Sequence, residues 1–219
     1  MGLLKKINEK AARSDDHERF AAERGLTYEA IGDIPEVTPL LRAAEAKNFS
    51  SVMRGRFGDT IQGYAAMMSR MERSDHVDDS GIETTFDQVV LVGAPQAAEF
   101  IPKLTVSCRN RLQPLATDEQ LREIETESET VTRRHRIWIG PETEEGNVRE
   151  LLSPVTLDWL AGLDLRNFAF ELDAGWFSAW SSPSVFIPFV KQGKPEELAS
   201  LMETANSLVE RILAEVAEE

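Results

Sequence analysis

Residues 75–79, Asp-His-Val-Asp-Asp, put carboxylates and an imidazole within five positions, a hard and borderline donor set for a divalent cation. The spacing of Asp75, His76, Asp78 and Asp79 lacks the twelve-residue calcium pattern and has no second histidine in register. A solvated loop is the expectation there, and added metal is expected not to stabilise the fold. His17 and His135 stand apart, and no serine sits in a strand-to-helix nucleophile elbow, so no triad is expected. Cys108 is the single cysteine, which leaves no intrachain disulfide and no cysteine knuckle for zinc. The glycines at 55, 58 and 63 lie in a strand-turn-strand pattern, which does not make a phosphate cradle. No catalytic residue, cofactor-binding residue or metal ligand is therefore expected, and the chain reads as a non-enzyme without a cofactor.

Binding is the remaining chemistry. Arg133, Arg134 and Arg136 crowd one stretch, and Glu123, Glu125, Glu127 and Glu129 fall on one face if their segment is extended. Opposite charges on neighbouring strands contribute only about 0.2–1 kcal/mol per pair, which sets register rather than holding a fold. Trp176 and Trp180 share one face of a strand with Phe177 opposite; such rings pack a core or line a ligand groove. Arg133, Arg134, Arg136, Trp176 and Trp180 form the candidate binding surface.

The elements that must position these residues run strand, helix, helix, hairpin. Thr130–Ile139 is β-branched and aromatic and stops at Gly140-Pro141, which predicts a strand. A first helix carries Val148, Leu151 and Leu152. Ser153-Pro154 caps and starts a second, with Val155, Trp159 and Leu160 on one face. Phe168, Phe170 and Leu172 alternate along the first arm of the hairpin, and Asp173-Ala174-Gly175 supplies its turn. Upstream, a helix through Phe20 and Ala21 ends at Gly25, residues 26–30 form a short strand, and Thr38-Pro39 opens a helix that stops near Asn48. Residues 50–57 and 60–71 form a hairpin around Gly58-Asp59, with Gly55 and Gly63 marking bulges or close backbone approach. Strands follow at 84–92 and 103–108, a proline-split apolar stretch at 181–190, and a long helix from Pro195 whose Leu198, Leu201, Leu208 and Ile212 recur at the helical period.

Composition bounds the rest. With 219 residues, 42% of them hydrophobic, the chain can bury a sizeable core, read here as one α+β domain over 14–219 behind a basic amphipathic segment, 1–13. A net charge of −14 argues against a nucleic-acid partner, since phosphate binding is driven by Lys and Arg. No stretch approaches the roughly twenty apolar residues of a membrane helix. Residues 2–13 carry Leu3, Leu4 and Ile7 beside Lys5, Lys6 and Lys10, a pattern that suits a membrane surface, although so short a segment has little apolar area to bind with.

The stretches Arg134-His-Arg-Ile-Trp-Ile-Gly140, Val148-Arg-Glu-Leu-Leu-Ser-Pro154 and Leu157-Asp-Trp-Leu160 resemble an uncharacterised, largely actinobacterial family of unknown function. Phe20–Tyr28 and Val52–Phe57 are similar to its opening helix and strands. Many of its members carry N-terminal membrane helices, which this sequence lacks. The resemblance implies the fold and carries over no catalytic residue. The fold expected is a largely antiparallel sheet with helices packed against it and a long C-terminal amphipathic helix. The function expected is a non-catalytic cytoplasmic interaction or scaffold module for a protein partner, the alternative being a small-molecule site or enzyme pocket near Trp176 and Trp180.

Overall fold

The computed structural model describes residues 15–43, 47–57, 61–73, 82–93, 102–108, 121–126, 128–165, 167–181 and 194–217. A helix over 15–23 (α1) leads into β1 (Thr27–Gly32), α2 (Pro39–Ala43), β2 (Lys47–Phe57), β3 (Ile61–Arg73), β4 (Ile82–Gly93) and β5 (Leu104–Cys108). Then come β6 (Arg122–Ile124), α3 (Glu129–Arg134), β7 (His135–Ile139), α4 (Glu145–Leu151), α5 (Pro154–Gly162), β8 (Ala169–Asp173), β9 (Trp176–Ser181) and α6 (Pro195–Ala217). The strands make one antiparallel sheet in the order β1-β2-β3-β4-β9-β8-β5-β7-β6. The architecture is the expected α+β one, with a large antiparallel sheet and a long C-terminal helix.

Both faces of the sheet are covered, which explains why β4 is apolar without alternation. Val90 and Val92 enter a larger core with Val106, Phe170, Phe177 and, from α6, Leu198, Leu201, Leu208 and Ile212. Helices α1, α3, α4 and α5 add side chains to that core. Val89 and Leu91 point the other way, into a second core with Ala66, Met68, Ala169, Trp180 and the α2 residues Leu40 and Leu41. Gly63 opposes Gly55 across the β2–β3 ladder; a Cβ there would lie 2.8 Å from the Leu91 carbonyl oxygen, so the expected close approach is real. The bulge of this hairpin lies instead between Ser50 and Met53, with Ser51 at φ 52°.

Three expected elements differ. Thr130–Arg134 is helix, not strand: the Ser128 hydroxyl accepts from the Val131 amide, Thr132 N–H bonds the Ser128 carbonyl, and Glu129 pairs with Arg133 one turn on. In α5, Val155 is 66% exposed, while Thr156, Leu157 and Leu160 face inward. Trp159 is partly buried beneath Arg211 of α6, its ring centroid 5.2 Å from the guanidinium carbon, rather than enclosed against the sheet. The helix opened by Thr38-Pro39 ends at Ala43, and the chain is already strand at Lys47. The segments 2–13, 75–79 and 182–190, and the glutamate at 127, lie outside the described residues.

Candidate functional site

The α2 face of the sheet changes character from one side to the other. On β3 and β4 its core side chains are Ala66, Met68, Val89 and Leu91, with buried Asp87 beside them; from β9 outward, ladder register lines up polar ones past Trp180 and Ala169. One row runs Leu91, Ser178, Glu171, Thr105, Trp138, Glu123, and a second runs Gly93, Trp176, Asp173. The Trp138 indole N–H donates to Ser107 at 3.2 Å, and Arg136 approaches Glu123 at 3.8 Å. Asp173 meets Arg42 of α2 at 2.6 Å and Lys103 at 3.8 Å.

Glu171 is the enclosed end of this polar region, with no exposed surface. Its Oε2 accepts from the Leu40 amide at 2.7 Å and from the Ser178 hydroxyl at 3.4 Å, while Thr38 donates to Ser178 at 3.1 Å. Leu40 lies in the first turn of α2, whose amides have no intrahelical acceptor, so a sheet carboxylate satisfies a helix end. Oε1 has no hydrogen-bond partner among the described residues. Burial pushes the carboxyl up to about 7, against the opposing pull of the Leu40 amide, the Thr38 and Ser178 hydroxyls and Arg42.

On the opposite face an open cleft of about 310 Å³ lies between β6, β7 and helices α4 and α5. Its apolar wall is Ile124, Ile137, Val148, Leu152, Pro154 and Leu157; Glu125, Arg149 and Asp158 stand at its edge. Arg149 is engaged by Glu145 at 2.6 Å and by the Glu125 carbonyl at 3.2 Å, and the Glu125 and Asp158 carboxylates stand at the rim without an ion-pair partner among the described residues.

The candidate surface does not come together as one patch. Arg133 pairs with Glu129 along α3, and Arg134 donates to the Ala161 and Leu163 carbonyls, closing the end of α5. Both line a second cleft, of about 390 Å³, with Cys108, His135 and Asp164. Arg136, Trp176 and Trp180 project from the other face. Among the described residues the expected pairing of the glutamate and arginine rows across strands occurs at Glu123 and Arg136, because β6 ends at Ile124, while Glu129 and Arg133 pair within α3. Trp180 is 1% exposed and belongs to the second core, so its ring lines no surface groove. Trp176 is partly buried beside it.

Sequence reasoning missed Glu171, the apolar cleft and the Cys108–His135 pairing across β5 and β7. Burial pulls the His135 imidazole below its usual range, opposed by a hydrogen bond to the Phe168 backbone and reinforced by Arg134. Among the described residues no three His, Cys, Asp or Glu side chains gather as a metal site, and no helix is long and apolar enough to cross a membrane.

No family model and no curated protein matches the chain. Among solved structures, the mycobacterial trehalose monomycolate transport factor A, TtfA, is similar, with a TM-score of 0.55 at 8% identity over 90% of this chain and 94% of that one. At that identity the likeness shows a shared fold.

Proposed function

We propose that this protein is a non-catalytic interaction module that takes a protein partner into the cleft beneath α4 and α5. The observation that carries the reading is an open cleft with an apolar lining, exposed Val155 next in the chain to the Pro154 that lines it, and the Glu125 and Asp158 carboxylates at its rim. An apolar anchor side chain flanked by basic residues fits that combination of shape and charge. Its place of action is proposed as the cytoplasm, in keeping with an acidic chain that has a single free cysteine. The test is affinity capture from native cells with the wild type, Val155→Glu and Asp158→Arg, both changes lying at solvent-facing positions. A partner held by the wild type and lost by both variants, with melting unchanged, supports the reading; identical captures from all three sink it.

A second reading, a small-molecule site, is favoured by one feature. Trp138 and Trp176 lie on the polar side of the α2 face among the charges of Arg136, Glu123, Asp173 and Lys103, the mixture of ring faces and fixed polar groups that orients a polar ligand. A transport factor with a similar fold is in keeping with binding rather than catalysis. Small molecules that co-purify with the wild type and are lost in Trp138→Ala would move the proposal to this face.

A further inference from the structure

We propose that residues 37–43 form a releasable strap over the second core, and that its closed position is governed by whether the Glu171 carboxyl carries a proton. The strap is short. Five helical residues cannot sustain a helix alone, so α2 owes its place to what it touches on the sheet. Those contacts converge on two strands: Leu40 N–H to Glu171, Thr38 to Ser178 and on to Glu171, and Arg42 to Asp173. Arg42 also bonds the Val37 carbonyl, which folds the strap on itself. Leu40 and Leu41, 1% and 0% exposed, are the apolar side chains it inserts.

A proton changes this balance because of where the carboxyl sits. Closed, Glu171 has one oxygen bonded and one without a partner among the described residues, and the side chain has no surface open to bulk solvent. The neutral acid tolerates that enclosure far better than the anion does. With the strap lifted, water solvates the carboxylate, so the open form favours ionisation and the closed form favours the proton. Rising pH therefore opens the strap. The charged neighbours on this face do not reverse the sign: Arg42 from α2 favours the anion, Asp173 along β8 opposes it and is itself approached by Lys103, and Asp87 lies on the same face of β4. The groups facing Glu171 from β9 and β5 are Ser178 and Thr105, which carry no charge. With the carboxyl at about 7 when closed and near 4.5 when solvated, the strap loosens progressively between those values and no further above them.

The experiment is hydrogen exchange of the full chain read by mass spectrometry over 37–43, corrected for intrinsic exchange rates, at pH 5 and pH 8.5. A carboxyl moved from 4.5 to about 7 allows a change of at most roughly 300-fold in the closing equilibrium. Protection in the wild type should fall by roughly 100-fold across the interval, stay level in Glu171→Gln, and still fall in Asp87→Asn and Asp173→Asn. A parallel carbon-13 titration of the wild-type Glu171 carboxyl keeps the test open if a variant misfolds, and its midpoint should mark the pH at which protection stops falling. Equal loss of protection in Glu171→Gln, pH-independent protection in the wild type, or a Glu171 midpoint at the ordinary carboxylate value would each overturn the strap.

Discussion

Glu171 and His135 are buried titratable side chains that pull global stability in opposite directions with pH. Glu171 has its folded pKa raised from 4.5 to about 7, so the folded state holds the proton more tightly than the unfolded one. Its contribution is complete below 4.5 and is lost as pH rises to about 7, a change on the order of 3 kcal/mol. His135 is lowered from 6.5, so its contribution is present above 6.5 and is lost as pH falls through its folded value. The two slopes oppose each other just below 6.5, so the wild-type profile should be shallower there than either group alone would make it. Urea unfolding across pH separates them: Glu171→Gln should steepen the loss at acid pH, and His135→Gln should expose the loss toward neutrality. If neither variant changes the profile, neither group is titrating as its burial requires. The tryptophans give a second contrast. Trp180→Ala should cost about 3–5 kcal/mol because the ring is enclosed in the second core, and Trp159→Ala should cost less because its ring is only partly buried, beneath Arg211. A neutral Trp180→Ala in urea would remove the second core as a packed unit.

Elements with one dominant cue were readable from sequence, and those settled by competing cues were not. The β8–β9 hairpin follows from alternation plus Asp173-Ala174-Gly175; Ala174 and Gly175 indeed take φ of 49° and 79°, the paired left-handed residues of a tight hairpin turn. Alanine is an uneasy choice there. Ala174→Asn should raise stability by about 1 kcal/mol in chemical denaturation, and a loss instead would mean the turn is not of that type. The α6 period was equally plain, and its buried stripe of Leu198, Leu201, Leu208 and Ile212 closes the larger core. Leu208→Ala should cost about 2–5 kcal/mol, while a folded, monomeric chain lacking 195–219 would show that α6 serves a partner instead. The α3 segment misled because Thr130, Val131 and Thr132 are strand formers, and a cap at Ser128 with Glu129–Arg133 outweighed them. Glu171 was hidden for a different reason. On a strand alternating with Phe170 and Leu172 it looks solvent-facing, and nothing local announces that α2, more than a hundred residues earlier, covers that face. The cleft was equally out of reach, since its wall draws together β6, β7, α4 and α5, which no local pattern places side by side.

At the scale of the whole molecule, the order of strands departs from the order of the chain at two places, of which the exchange of β6 and β7 at one edge is the smaller. β1 to β4 are neighbours in sequence, yet β4 pairs with β9 and β5 with β8, so the β8–β9 hairpin lies between the two parts of the sheet. Without it, neither part has a hydrogen-bonded neighbour at that edge, and both cores lose residues: Phe170 and Phe177 from the larger, Ala169 and Trp180 from the second. The hairpin is also the late strand pair to which α2 is tied, through Glu171, Ser178 and Asp173. Unfolding should therefore be one cooperative transition rather than a loss of one part before the other. Far-ultraviolet circular dichroism and tryptophan fluorescence in urea are expected to superimpose, with Phe170→Ala moving both midpoints down together. Hydrogen exchange near the midpoint gives the decisive contrast. If β1–β4 amides stay protected after those of β5 and β7 have exchanged, the hairpin is a patch between two independent units, and the chain has two folding domains instead of one.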